Sequence, residues 1–176
     1  MCGIVGFINC GNQSELQNAV EVVNHRGPDG HGVKWFPNDG SGLGHTRLSI
    51  IDLSNAANQP LVHEESGLWI VFNGEVYNYK EIQAELKGLG HTFKTNSDTE
   101  VVLRAYLQWK ESCLERFNGM FAFGIYDPSK QELFAARDRL GIKPFYYLYQ
   151  DGGFAFSSEI KSILQLKAYK KEPDHA

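Results

Sequence analysis

The chain begins Met1-Cys2-Gly3-Ile4-Val5-Gly6-Phe7-Ile8-Asn9, and the run from Gly3 to Asn9 is a short apolar stretch bounded by turn residues, which predicts a strand. A thiol therefore stands at the head of the first strand. Once Met1 is trimmed, Cys2 carries both the thiol and a free α-amino group. With a reference pKa of about 7.7 to 8.0, that amine is partly unprotonated near neutral pH and can take the thiol proton. Nucleophile and base then share one residue. By position alone the plainer reading leads, because an unpaired cysteine is more often a small packed hydrophobe than a reagent.

Helices and further strands are expected to follow that first strand. Ser14 and Gln17 have capping-box spacing, and Leu16, Ala19, Val20 and Val23 fall on one helical face. Arg26-Gly27-Pro28-Asp29-Gly30 reads as a turn, and strands are expected at His31 to Phe36, Gly42 to Leu48 and Leu68 to Asn73. A second helix near Lys80 to Gly88 places Ile82, Leu86 and Leu89 on one side, and Ser97-Asp98-Thr99-Glu100 is a capping box opening a third. Gly119 to Tyr126 is almost wholly apolar, as an inner strand buried on both faces would be. Strands at Glu132 to Arg137, Phe145 to Leu148 and Phe154 to Phe156 precede a last helix capped by Ser157 or Ser158. Helices set apart from runs of strands indicate an α+β chain with helix-covered sheets rather than a wound parallel fold.

Composition sets the outer bounds. At 176 residues, 42% hydrophobic and 22% charged, the chain suits one domain with a real core. A net charge of -4 without a Lys/Arg cluster argues against nucleic acid and anionic lipid as partners. No signal-peptide pattern and no apolar run of membrane length is present, so no membrane role and a cytoplasmic location are expected. Cys2, Cys10 and Cys113 make neither an even disulfide set nor a C-x-x-C pair, and the histidines lack ligand spacing, so no metal site is expected. The stretch 166–176 turns polar and basic and reads as an exit linker beyond a domain over 1–165.

Seven motifs occur in a fixed order: M-C-G-I-V-G at Met1 to Gly6, H-R-G-P-D-G at His25 to Gly30, H-T-R-L-S at His45 to Ser49, F-N-G-E-V-Y-N at Phe72 to Asn78, S-D-T-E at Ser97 to Glu100, R-D-R-L-G-I-K-P-F-Y-Y at Arg137 to Tyr147 and F-S-S-E-I-K at Phe156 to Lys161. Together they resemble the class II glutamine amidotransferase domain, the glutaminase half of asparagine synthetases. The resemblance implies the N-terminal-nucleophile hydrolase fold, a four-layer αββα sandwich of two mainly antiparallel sheets, with Cys2 as nucleophile. Gly3 and Gly6 suit its first strand by leaving room for substrate and for close sheet packing.

The same resemblance implies the division of labour. Cys2 attacks the side-chain amide of glutamine, and Asn73 with the Gly74 N–H meets the oxyanion, although Asn73-Gly74 read alone is also a strong hairpin-turn signal. Arg47 takes the α-carboxylate through a guanidinium fork, Asp98 with Glu75 takes the α-ammonium, and backbone groups of Leu48, Ser49, Ile50 and Ile51 complete the pocket. Arg26 and Gly27 belong to a loop expected to border it. Phe72, rather than histidine, before the Asn-Gly pair, together with Tyr77-Asn78-Tyr79, points to the asparagine synthetase branch. No cofactor is expected in this chain, which lacks a glycine-rich phosphate loop; ATP and Mg would belong to a synthetase domain outside it. The implied partners are L-glutamine and a C-terminal synthetase domain or partner subunit, with homo-oligomerisation left open. Two alternatives remain beside the glutaminase: a catalytically silent module of the same fold, and a stand-alone amidotransferase serving another acceptor.

Overall fold

A computed structural model of the protein describes residues 1–49, 51–52 and 54–167. The expected N-terminal strand forms as β1 (Gly3–Ile8), antiparallel to β3 (Ser41–Arg47) on one side and β9 (Gly153–Ser157) on the other. With β2 (Gly30–Phe36) and β8 (Tyr146–Gln150) this gives one sheet in the order β2-β3-β1-β9-β8. A second antiparallel sheet runs β4-β5-β6-β7, from β4 (Leu61–His63), β5 (Leu68–Val76), β6 (Gly119–Asp127) and β7 (Glu132–Arg137).

Helices α1 (Gln13–Glu21) and α5 (Ile160–Ile163) cover the outer face of the first sheet, burying Leu16, Ala19 and Val20 against Val5 and Phe7. Helices α2 (Tyr79–Gly88) and α3 (Asp98–Trp109) cover the second sheet, where Ile82, Leu86 and Val102 meet Ile70, Phe72 and Phe123; the short α4 (Cys113–Arg116) closes that layer. Between the sheets lie Ile4, Leu43, Val71, Tyr126 and Phe156. The result is the αββα sandwich. Among the described residues no helix is long and apolar enough to cross a membrane.

Glycine sets the spacing of the two sheets at one point. The Phe156 ring lies between Gly6 on β1 and Gly124 on β6, and a Cβ built on Gly6 would fall 2.0 Å from Phe156 Cε1. Gly6→Ala is therefore expected to destabilise the domain by about 1–3 kcal/mol, since the ring has to leave a close-packed interior site. A lowered urea midpoint at unchanged m value is the measurement, and an unchanged midpoint would contradict it.

Several local readings are corrected. The cap of α1 is Asn12, whose side chain accepts the Glu15 N–H, so Ser14 sits inside the first turn rather than at the cap. Ser97 does cap α3, but Glu100 does not return the bond to it; its carboxylate accepts the Lys94 and Thr95 N–H groups and Arg104 Nη2. Leu89 lies past the end of α2 and is 53% exposed. Neither Ser157 nor Ser158 caps α5: Glu159 precedes it, and Ser158 Oγ accepts the Ile4 N–H instead, fastening β1. Leu166, assigned to the tail, is buried in the α1 cluster and belongs to the domain; 168–176 lie outside the described residues.

Candidate active site

Cys2 stands where β1 begins, at the rim of a cleft of about 140 Å³ between the two sheets. Its Sγ accepts the Leu48 N–H at 3.4 Å and lies 3.6 Å from the Leu48 carbonyl, which the S–H can reach as donor. The thiol pKa is pushed up by burial, while the Leu48 hydrogen bond, the N-terminal amino group and Arg47 pull it down and Asp98 pushes it up. Arg26 Nε donates to the Cys2 carbonyl at 3.0 Å, and Arg26 Nη1 is held by Glu159 at 3.1 Å. The Cys2 backbone is thus pinned from below.

Across the cleft runs β5, and here the hairpin reading of Asn73-Gly74 fails. Both residues lie inside the strand, opposite Ala122 and Phe121 of β6. Gly74 is required for another reason: a Cβ there would come within 2.2 Å of the Met120 carbonyl oxygen. In an antiparallel pair, peptide groups alternate between the two sides of a strand. The Phe72 N–H donates to Gln59 Oε1 at 2.6 Å and the Val76 N–H to Asp98 Oδ2 at 3.1 Å, both on the side away from β6. Alternation puts the Gly74 N–H on that same open side, between them. Asn73 Nδ2 is buried and has no hydrogen-bond partner among the described residues. Two N–H donors, one backbone and one side chain, therefore belong to residues lining the cleft that Cys2 also lines, with no acceptor for them among the described residues.

Charge is arranged around the same cavity. Arg47 ends β3, and its Nη1 donates to the Ser54 carbonyl at 3.0 Å and to Asn58 Oδ1, its Nη2 to the Asp52 carbonyl. Among the described residues three of the five guanidinium donors are taken by the loop, which leaves Nε–H and one Nη2–H for a ligand carboxylate. Asp98, at the start of α3, has its pKa raised to about 6, first by burial and also by Glu75, against the pull of the Val76 and Thr99 N–H groups. Glu75 lines the cleft beside it.

The remaining expected residues divide. Leu48, Ser49 and Ile51 line the cleft, but the Ser49 N–H is already given to Asp29 Oδ2 at 2.8 Å, and Ile50 lies outside the described residues. Arg26 and Gly27 are not among the residues lining the cleft. Their loop lies behind the Arg47 strand, with the Asp29 N–H on the Arg47 carbonyl at 3.0 Å and no room for a Cβ at Gly27, which would fall 2.4 Å from Arg47 N. Sequence reading missed His45, Gln59 and Lys143, which also line the cavity. Only His45 had a usable signal, its place two residues before Arg47 on one face of a strand. Among the described residues no cluster of three or more His, Cys, Asp or Glu could hold a metal ion.

Such a cleft can receive an amide carbonyl beside Cys2, stabilise the anion formed on attack, and hold a zwitterion by both of its charges. Fold and cleft together define an α+β protein with an enzyme's cleft between its two antiparallel sheets. The sequence profile of the glutamine amidotransferase domain matches residues 1–176, and the chain belongs to that family. Among curated relatives it is 44% identical over 171 residues to asparagine synthetase [glutamine-hydrolyzing] 1 of Bacillus subtilis, covering 93% of this chain and 27% of the relative. It is 39% identical over 191 residues to the putative asparagine synthetase [glutamine-hydrolyzing] 2 of Methanocaldococcus jannaschii, covering 98% and 36%. The chain thus spans roughly a quarter to a third of their length. A solved structure of glutamine phosphoribosylpyrophosphate amidotransferase from B. subtilis, complexed with ADP and GMP, superposes with a TM-score of 0.79 over 94% of this chain and 43% of that one; at 20% identity the likeness concerns the fold, that of the N-terminal-nucleophile amidotransferases.

Proposed function

We propose that this domain hydrolyses L-glutamine to L-glutamate and ammonia through a glutamyl thioester on Cys2. The observation that carries the reading is the buried, unpartnered Asn73 Nδ2 beside an equally open Gly74 N–H, across the cleft from the thiol. Removal of Met1 exposes the Cys2 α-amine, which takes the thiol proton as Sγ attacks the amide carbon. The tetrahedral oxyanion receives hydrogen bonds from Asn73 Nδ2 and the Gly74 N–H. Collapse breaks the C–N bond, the ammonium proton passes to the leaving group, and ammonia departs. Water then adds to the thioester with the amine as base, releasing glutamate and restoring the thiol. Arg47 binds the α-carboxylate; Asp98 and Glu75 bind the α-ammonium, helped by backbone groups of Leu48, Ser49 and Ile51.

These steps use only the chain's own groups. The names and greater length of the relatives support a further step, delivery of ammonia to an asparagine-forming synthetase domain outside this chain; use of ATP and Mg by that domain, in the cytoplasm, belongs to the same proposal.

The test is covalent labelling with a glutamine-mimicking diazoketone, followed by intact mass and peptide mapping. One adduct on Cys2 of the Met1-free protein, with none on the Met1-retaining form and with glutamate release from glutamine, is the expected result. Adducts at Cys10 or Cys113, or no adduct and no glutamate, would overturn it in favour of a silent module. If glutamate forms but the full-length protein makes no asparagine with ATP and aspartate, the acceptor is a different one.

A further inference from the structure

The edge of β5 next to the donor pair has lost its sheet neighbour. β4 pairs only with Leu68 to Ile70, so from Phe72 onward the side of β5 away from β6 has no strand to bond. Both groups of Phe72 on that side are nevertheless satisfied, and by side chains. Gln59 Oε1 accepts the N–H at 2.6 Å, and His45 Nε2 lies 3.2 Å from the carbonyl oxygen. The carbonyl can only accept, so His45 carries its proton on Nε2. The imidazole is neutral, burial holding its pKa down to about 3. That tautomer leaves Nδ1 as an acceptor, buried and without a partner among the described residues. The Phe72 carbonyl belongs to the same peptide unit as the Asn73 nitrogen. Its plane sets the direction from which Asn73 and Gly74 present their donors.

The anchors come from other parts of the fold. His45 is on β3, opposite Ile4 of β1, in the sheet that carries Cys2, and two residues before Arg47. Its hydrogen bond therefore ties the nucleophile's sheet to the oxyanion strand of the other sheet. Gln59 also donates from Nε2 to Thr99 Oγ1 at 3.1 Å, joining the preceding Val71–Phe72 peptide, whose N–H it accepts, to the residue after Asp98.

We propose that His45 is a positioning residue for glutamine hydrolysis: it clamps the Phe72–Asn73 peptide across the two sheets, while Gln59 holds the Val71–Phe72 peptide on the other side of the Phe72 Cα, and so fixes the oxyanion donors relative to Cys2. This rests on the proposed glutaminase reading. Errors of about 1 Å at a reacting centre can cost a hundredfold in rate, whereas the Arg47 and Asp98 contacts to glutamine do not pass through this peptide. The clamp should act on kcat and leave KM nearly untouched.

A pair of amide substitutions tests it. Glutamine can place an N–H close to the position of histidine Nε2, whereas asparagine is one methylene shorter and reaches only to the region of Nδ1. His45→Gln is expected to keep kcat within about threefold of the unsubstituted protein, and His45→Asn to lose roughly tenfold to a hundredfold in kcat with KM for glutamine within about threefold. Gln59→Leu should lower kcat in the same sense, and its effect should not add fully to that of His45→Asn, since the two side chains hold the two peptides that flank Phe72. All variants are assayed as Met1-free protein, and thermal unfolding confirms the folded state. His45→Asn with full kcat, a rise in KM in place of the kcat loss, or His45→Gln as slow as His45→Asn would each overturn the proposal. Should His45→Asn fail to fold, Gln59→Leu carries the test on kcat alone, and a parental kcat overturns the proposal. Failure of the unsubstituted protein to label at Cys2 or release glutamate is a different outcome, which overturns the reaction itself.

Discussion

Replacing Asn73 by alanine is expected to lower kcat for glutamine hydrolysis by about 10² to 10³, the loss that follows removal of one preorganised oxyanion donor. KM should move by no more than about threefold, because the ground-state carbonyl asks far less of this donor than the tetrahedral anion does. Ordinarily such a substitution would also cost stability, since a buried amide usually holds a structural hydrogen bond. Here Nδ2 has no protein partner to lose. The unfolding free energy of Asn73→Ala should therefore lie within about 1 kcal/mol of the parent, the lost packing being offset by removal of an unsatisfied buried group. Steady-state kinetics with a urea titration on the same preparations checks both halves. A variant with parental kcat would remove Asn73 from the mechanism, and a large fall in stability would mean that its amide has a structural partner.

The legible and illegible parts of this molecule divide along a physical line. Periodicity revealed what faces a core: Leu16, Ala19 and Val20 on α1, Ile82 and Leu86 on α2, and the unbroken apolar run of β6. Motif order revealed Cys2, Arg47, Asn73 and Asp98, and the structure brings all of them to one cleft. Asn73-Gly74 misled as an isolated dipeptide because turn chemistry and close backbone approach select the same residue. The Met120 carbonyl, not a reversal of the chain, is what excludes a side chain at Gly74. Caps failed where a competing partner was closer: Asn12 displaced Ser14, Glu100 turned to Thr95 and Arg104, and Ser158 turned to Ile4. His45 and Gln59 were hidden for a related reason. Their partner is the Phe72 backbone, exposed by the early end of β4, and a backbone group without a neighbour leaves no mark on the sequence. The Arg26 loop does not line the cleft; it holds the Cys2 carbonyl and the Arg47 strand from behind.

Asp98 should show its function through pH. A carboxyl group with a pKa of about 6 is roughly nine-tenths ionised at pH 7 and only about one-tenth ionised at pH 5. The ammonium of glutamine needs the ionised form, so KM should rise as pH falls through 6 while kcat at saturation changes less. Asp98→Asn removes one of the two anions facing that ammonium in a buried site. It is expected to raise KM at pH 7 by about two orders of magnitude, a loss of 2–3 kcal/mol, and to abolish the KM inflection near pH 6. The same shift predicts a gain elsewhere. Because the folded protein holds the Asp98 proton more tightly than the unfolded chain, ionising this group opposes folding. The penalty is absent below the ordinary carboxylate range, grows as pH rises through about 4 to 6, and levels off near 3 kcal/mol above it. Asn keeps an oxygen to accept the Val76 N–H but carries no charge, so Asp98→Asn should be more stable than the parent at pH 7.5 by about 1–2 kcal/mol, and no more stable at pH 4. Chemical denaturation at the two pH values decides it. Equal stability at pH 7.5 would mean that the carboxylate is well compensated in the empty pocket, leaving the rise in KM as the only consequence of its loss.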